Sequence, residues 1–310
     1  MRALVLNSFD GPSAITVTEV DDPMVADGDV LVRVDAAAVG PWDPQTTEGY
    51  FAAAGGLSTF PQIVGWDLSG TLVEIGPGDS TEWSLGDPVM GYSAQPWTGV
   101  GVFAEEVSMS TALLTPRPVG LDINVAATLP VVALTADLAV RESGLAEGAT
   151  LLVLGAAGAV GSLVTQLAVQ AGIRVVGSGT AGDLARIEAL GAQVAVDRDA
   201  DVAARTLATT GPADAIIDLV GAAARPSAMA ALRPGGRFVT TIRGPLPEGL
   251  TDPPRSLGVQ PDPDRLGQLA RLVEAGTLRV ATGEVLALAD AQQAYELARS
   301  AGAAKIVLKP

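Results

Sequence analysis

Residues Leu151 to Gly161 read LLVLGAAGAVG and run directly into SLVTQLAVQAG. The opening uncharged residues suit a strand buried in a parallel sheet. Gly158 and Gly161 permit close backbone approach, and Leu163, Val164, Leu167 and Ala171 then recur at helical spacing until Gly172 supplies a stop. Strand, glycine turn and helix in this order leave a helix N-terminus with unpaired N–H groups over the turn, an arrangement that suits the pyrophosphate of a dinucleotide. Gly155, Ala157, Gly158, Ala159, Val160 and Gly161 are the candidate contacts. A glycine-tolerant packing turn carries the same pattern, so the rest of the chain has to decide between the two.

A membrane span is the other reading of this stretch, because Ala149 to Ile173 is uncharged and longer than the ~20 residues that cross a bilayer. Its internal glycines and the polar Thr150, Ser162, Thr165 and Gln166 argue against it. At the N-terminus, MRALVLNSFDG has too short an apolar run before Asn7 and Asp10 to act as a secretory signal. A soluble, cytoplasmic protein with no membrane partner is expected.

Composition excludes much chemistry. The 310 residues suggest two domains. There is no Cys, so disulfides, thiolate nucleophiles and thiolate-bound metals are impossible. There is no His either, which removes the usual acid–base group near neutral pH and leaves carboxylates, Tyr, Ser, Thr and two lysines, Lys305 and Lys309. A formal charge of −16 repels polyanions, so nucleic acid is not an expected partner.

Before residue 122 the pattern is β-rich. Short runs at Ala3 to Leu6, Ile15 to Val20, Val30 to Val34 and Thr71 to Ile75 are separated by glycine and proline turns, which fits an antiparallel barrel-like domain. Asn124 to Glu142 reads as helix broken by Pro130. Beyond the glycine turn, strand and helix patterns alternate. Strands are expected at Ile173 to Val176, Val194 to Val196, Ala215 to Leu219 and Arg237 to Ile242, with helices at Asp183 to Leu190 and Val202 to Ala208. That alternation signals a doubly wound parallel sheet. After a proline-rich connection, Gly244 to Pro254, come an expected sixth strand at Leu257 to Gln260 and a helix at Asp264 to Ala275. A last helix, Asp290 to Ser300, precedes a strand, Lys305 to Lys309, expected to return to the first domain.

In such sheets a carboxylate near the end of the second strand bonds the ribose 2′-hydroxyl of NAD. The corresponding residues here are Gly177, Ser178, Gly179 and Thr180, and the first carboxylate after them is Asp183, placed to cap or open the next helix. Small residues leave room for a 2′-phosphate, and Arg186 could neutralise it, so NADPH is the expected cofactor; Arg186 on a solvated helix face is the plain alternative. Carboxyl ends of parallel strands face the ligand crevice, which nominates Val220, Gly221, Thr241, Ile242 and Arg243 for the nicotinamide end.

Longer blocks carry a resemblance. These are PQIVGWDLSGTLVEIGPGDSTEWSLGDPVMGY at Pro61 to Tyr92, FAEEVSM at Phe103 to Met109, AATLPVVALTADLAV at Ala126 to Val140, GAAGAVG, DAIIDLVG at Asp214 to Gly221, LRPGGRFVTT at Leu232 to Thr241 and the late AYELARSAGAAKIVL. Together they resemble the medium-chain dehydrogenase/reductase superfamily, specifically its zinc-free quinone oxidoreductase branch. The resemblance implies an α/β chain with a GroES-like β-barrel catalytic domain at 1–122 and 276–310, a Rossmann doubly wound parallel-sheet domain at 123–275, and a homodimer. It also implies direct hydride transfer from NADPH, without flavin, to a quinone or α,β-unsaturated carbonyl. A biosynthetic tailoring or trans-acting enoyl reductase with a carrier-bound substrate is a second reading, and an NADPH-binding protein with little turnover is a third.

Zinc-dependent relatives place a Cys three residues before an Asp and a His inside Gly-His-Glu. The matching segments here are Gly40-Pro41-Trp42-Asp43 and Gly65-Trp66-Asp67, so both metal ligands are gone and no metal is expected. Many zinc-free relatives have Asn where this chain has Gly40. The substrate pocket is therefore expected to involve Gly40, Trp42, Trp66 and Tyr92, although buried tryptophans also serve as plain core. Conjugate reduction requires a proton as well as a hydride. Tyr50, near the place of the enoyl reductases' proposed donor, is the first candidate, with solvent water or a loop-tethering role as alternatives. Asp43 matches a position that supports the loop and is the second catalytic candidate. Thr135 resembles the residue approaching the nicotinamide; a mid-helix Thr bonding its own backbone is the alternative.

Overall fold

A computed structural model describes residues 1–78, 83–221, 224–300 and 304–310. Residues 79–82 of the Pro61 to Tyr92 block and 301–303 of the last block lie outside the described residues. The chain divides into two compact units, Met1–Val131 with Gln260–Pro310, and Val132–Val259. Among the described residues no helix is long and apolar enough to cross a membrane.

The Val132–Val259 unit is built on a six-stranded sheet. Its spatial order is Val194–Asp197, Arg174–Gly179, Thr150–Leu154, Ala213–Asp218, Leu232–Thr240 and Arg255–Ser256, with every pairing parallel. This is the doubly wound Rossmann order, reversing beside Thr150–Leu154. That strand is buried along its whole length, which is why it carries no charge. Register places Val194, Val176, Leu152, Ile216 and Phe238 in one row across five strands, and these residues form an apolar cluster. Each fully buried member contributes about 1.5–3 kcal/mol relative to exposure.

The sixth strand lies at Arg255–Ser256, two residues earlier than the expected Leu257 to Gln260. Carboxylates make an arginine acceptable at this edge: Arg255 pairs with Glu142 at 2.5 Å and lies 4.0 Å from Asp252. Prolines at 261 and 263 bias the residues just before them away from regular pairing and toward the next helix, Pro263–Glu274, capped by the Asp262 carboxylate on the Arg265 N–H.

The other unit holds two β-sheets. In the smaller, Arg2–Leu6 sits between Ile15–Glu19 and Gln62–Ile63, all antiparallel. The larger runs Thr282–Ala287, Lys305–Lys309, Asp29–Val39, Asp67–Ile75, Pro88–Tyr92 and Leu114–Pro116, with Glu106–Ser110 pairing Asp29–Val39. Both sheets contribute to one apolar core containing Leu4, Ile15, Val32, Leu68, Phe103 and Tyr295. The Lys305–Lys309 strand pairs antiparallel with Asp29–Val39. Its parallel neighbour Thr282–Ala287 has no sequence signature, because it is an edge strand with no fully buried residue. Ala36 and Ala38 carry the Asp29–Val39 strand beyond the apolar run visible in the sequence; their small side chains let Ala127, on the helix Ile123–Thr128, pack against the sheet.

Candidate functional site

In the parallel-sheet unit, Gly155 follows the first strand at φ +83°, and Gly158 caps the helix Ala159–Gln170. No side chain caps that helix, so its first N–H groups are not spent on a side chain. Gly161 is there for packing: a Cβ on it would stand 2.0 Å from the Gly155 carbonyl oxygen, and one on Gly155 would stand 2.9 Å from Val220. The turn is bolted to the second strand by Gly155 and Ala156, whose N–H groups donate to the Ser178 carbonyl at 3.2 and 2.9 Å. Ala157, Ala159 and Val160 complete this cradle, and no side chain caps the helix that it opens. A pyrophosphate fits it.

At the end of the second strand Asp183 stands at the N-cap of the next helix, as the sequence suggests, and the structure adds where its carboxylate goes. Thr180 donates to the Asp183 carboxylate from its N–H at 3.0 Å and its hydroxyl at 2.6 Å, and Arg186 donates to the other oxygen at 2.8 Å. A carboxylate therefore does reach the strand end, folded back by the capping box, and Arg186 is engaged with it rather than standing alone. The Thr180 hydroxyl holds the Asp183 carboxyl below its ordinary range. Ser178 is buried, and Gly179 accepts a backbone bond at 2.7 Å from Arg198, a second cation beside this strand end that sequence reasoning missed.

The ends of the fourth and fifth strands are tied by a buried ion pair that sequence reasoning also missed. Arg225 donates from Nε to Asp218 at 2.6 Å, from Nη2 to Thr240 at 3.3 Å and to the Ile242 carbonyl at 3.2 Å, and from Nη1 to the Pro245 carbonyl. The other Asp218 oxygen accepts the N–H groups of Val220 at 3.0 Å and Gly221 at 2.8 Å. Gly221 has φ +105°, and the Thr241 N–H reaches the Asp218 carbonyl at 3.4 Å. Val220, Gly221, Thr241 and Ile242 are thus held by one network, and Arg243 follows directly on the same segment. Thr135 is buried on the helix Pro130–Ser143.

In the other unit, Gly40 to Asp43 open the short helix Trp42–Thr47. Asp43 is buried and accepts the Gly40 N–H at 2.7 Å, while its Oδ1 has no partner. Burial pushes its carboxyl up to about 8, against the opposing pull of that N–H and of Lys305. Lys305 and Asp67 form a buried ion pair, and Asp67 also accepts the Val131 N–H at 2.8 Å. The Lys305 ammonium lies 4.7 Å from the centre of the Trp42 ring. Tyr295 is fully buried; burial first, and Asp43 second, raise its hydroxyl well above the usual range.

Trp66 is the hub of an aromatic cluster. Its ring centre is 6.0 Å from Trp42, 5.1 Å from Phe51, 5.8 Å from Trp97 and 6.1 Å from Tyr92, the last stacked at 9°. Burial and the neighbouring Asp67 push the Tyr92 hydroxyl above its ordinary range. Half-buried Tyr50 joins through Phe51 at 5.1 Å. The structure therefore brings Gly40, Trp42, Asp43, Trp66, Tyr92 and Tyr50 together, and adds Phe51, Trp97, Lys305, Asp67 and Tyr295. Both indole Nε1 atoms, Trp42 and Trp66, are buried without an acceptor, a state that costs about 1–3 kcal/mol per group. Ala94, at the start of the Trp97 helix, is held at φ +52°, which costs a non-glycine residue about 1–2 kcal/mol.

Known proteins match both units. The alcohol dehydrogenase GroES-like domain family covers residues 26–119, and the zinc-binding dehydrogenase family covers residues 190–308. An NADPH-dependent alkenal/one oxidoreductase, chloroplastic, of Arabidopsis thaliana is 27% identical over 90% of this chain and 71% of its own. The solved quinone oxidoreductase from Coxiella burnetii superimposes with a TM-score of 0.87 at 27% identity, covering 100% of this chain and 99% of that one. A solved NAD-dependent alcohol dehydrogenase gives 0.88 at 28% identity, with 100% of both chains covered. Two matched domains, the α/β architecture and relatives spread over the whole length agree: the chain is an oxidoreductase of the medium-chain dehydrogenase/reductase superfamily, in its zinc-free branch.

Proposed function

We propose that this chain is an NADPH-dependent, zinc-independent reductase that delivers hydride to a quinone or an α,β-unsaturated carbonyl. The observation that carries this reading is the pair of residues at the resemblance's metal-ligand positions. Gly40 and Trp66 stand there, and the Trp42 ring lies over Gly40. A simple carbonyl then has no residue-bound Lewis acid to hold its developing negative charge, whereas a conjugated acceptor spreads that charge over its own atoms.

Residues Gly155 to Gly161 would hold the pyrophosphate, and the Val220–Gly221 and Thr241–Arg243 segments would hold the nicotinamide, which supplies the hydride. Arg186 and Arg198, both beside the second strand end, favour a 2′-phosphate: Arg186 cancels the Asp183 charge, and the Arg198 side chain is well exposed. Asp43 orients the Gly40 loop through its bond to the Gly40 N–H. The Tyr50 hydroxyl, beside the aromatic cluster, serves as proton donor to the carbon next to the hydride acceptor. The test is NADPH oxidation with a panel of quinones and enones, with and without a strong zinc chelator. Oxidation that the chelator leaves unchanged is expected; no oxidation with any acceptor, or loss of activity to the chelator, would contradict the reading.

A further inference from the structure

Among the described residues, eleven buried side-chain polar atoms lack a hydrogen-bond partner, and five of them belong to one neighbourhood. They are Nε1 of Trp42, Nε1 of Trp66, Oδ1 of Asp43, Oε1 of Gln95 and the Tyr295 hydroxyl. Buried polar groups are nearly always paired, so such a concentration marks a place where another molecule completes the bonding. The two indoles are donors only, and their ring centres lie 6.0 Å apart with the planes tilted at 49°. What they lack is an acceptor oxygen.

The surroundings specify what carries that oxygen. Trp66 is 5% exposed, whereas Trp97, whose ring lies 5.8 Å from it and 5.4 Å from Phe51, is 48% exposed. A tryptophan left half in water beside other rings offers a flat apolar face to a flat partner. Its position is imposed rather than incidental. Ala94 adopts a left-handed backbone just before it, and the Pro96 carbonyl accepts the Leu57 N–H at 2.6 Å, fastening the Trp97 helix to the loop after Phe51. Backbone strain at the foot of a half-exposed aromatic side chain is an observation that points to function.

We propose that this cluster selects a planar quinone of two or more fused rings, whose ring system packs on Trp97 and Phe51 and whose carbonyl oxygens accept the indole N–H groups of Trp42 and Trp66. Both indole nitrogens are buried, so the ligand reaches them by a rotation of the Trp97 side chain, the most exposed ring of the set, on a backbone that stays fixed. The inference rests on the reductase reading above and narrows its substrate. In the reaction NADPH gives up a hydride, two electrons and one proton, and becomes NADP⁺; the quinone gains that hydride and one proton, passed on by Tyr50 and replaced from solvent, and becomes the hydroquinone. As the hydride arrives, negative charge grows on the carbonyl oxygens, and the indole N–H groups bind those oxygens more tightly than in the ground state. Trp42 and Trp66 thereby take over part of the task a metal performs in zinc-dependent relatives.

The experiment compares 1,4-naphthoquinone, 1,4-benzoquinone and an acyclic enone on the full chain with NADPH. For the unaltered chain, kcat/KM is expected to be at least about tenfold higher for the naphthoquinone than for either other acceptor. Trp66→Phe and Trp42→Phe keep a ring and remove the N–H. Each is expected to lower kcat for the naphthoquinone about tenfold or more while leaving KM for NADPH unchanged. Trp97→Ala is expected to raise KM for the naphthoquinone more than for the enone. Equal or better use of the single-ring quinone or the enone overturns the proposal, as does unchanged kcat in both phenylalanine variants. If these variants fail to fold, the acceptor ranking of the unaltered chain decides alone. No NADPH oxidation with any of the three acceptors would instead overturn the reductase reading itself.

Discussion

The indole of Trp42 folds back over Gly40 so closely that a Cβ on Gly40 would stand 2.4 Å from Cζ2 and 2.6 Å from Cε2 and Cη2. Residue 40 is glycine because residue 42 is tryptophan. A side chain at position 40 and the Trp42 ring compete for the same space, and the ring fills it.

This coupling gives a mutational test. Gly40→Ala forces the Trp42 ring off the Lys305 ammonium and away from Trp66, and is expected to cost about 1–3 kcal/mol of stability. In a Trp42→Ala background the same substitution meets open space and is expected to cost less by a similar amount. Urea denaturation of the four proteins in this double-mutant cycle measures the coupling, and additive losses would show that the two residues are independent.

Asp43 makes stability depend on pH. Burial raises its carboxyl to about 8 in the folded chain, from about 4 when unfolded. Between those values the folded chain binds a proton that the unfolded chain does not, so the contribution is fully present below the unfolded value and is lost as pH rises through the folded one. Asp43→Asn keeps an acceptor for the Gly40 N–H and removes the titration. Urea midpoints between about pH 5 and about pH 8 should fall more steeply for the unaltered chain than for the variant. Parallel profiles would count against a proton on Asp43.

Arg225→Met leaves Asp218 as a buried charge without its partner, and is expected to destabilise the chain by about 3–5 kcal/mol. The loosened segments are those proposed to hold the nicotinamide. NADPH affinity should therefore fall while that of 2′,5′-ADP, which lacks the nicotinamide, stays unchanged in calorimetric titrations. Equal loss of both ligands would show that Arg225 only supports the fold.

Replacing Arg186 or Arg198 with Ala is expected to raise KM for NADPH about tenfold, the worth of one charge-assisted contact, with little effect on NADH. Steady-state kinetics with both coenzymes decide it. An equal effect on NADH would place these arginines away from the 2′-phosphate.

The parallel sheet was legible in the sequence because strands buried on both faces must be uncharged, and Leu151 to Leu154 announces itself on that ground alone. The capping relation of Thr180 and Asp183 is a local pattern, but its consequence, a carboxylate returned to the strand end, depends on the turn's three-dimensional path. Arg225 and Asp218 are seven residues apart on different elements, and nothing local says that one buried charge answers the other. Phe51, Trp66 and Trp97 come from three separate segments and meet only when the sheet orders them. Lys305 carried the one faint signal, a charge opening an apolar strand, which requires a partner once buried; the identity of that partner, Asp67, was beyond local reasoning.

Where the hydride goes is the most direct measurement. An α,β-unsaturated ketone is incubated with NADPH deuterated at both C4 positions, and the product is read by mass spectrometry and NMR. Conjugate reduction by this chain is expected to yield the saturated ketone with a single deuterium on the β-carbon and the carbonyl intact. Deuterium on the carbinol carbon of an allylic alcohol, or a saturated product free of label, would contradict it.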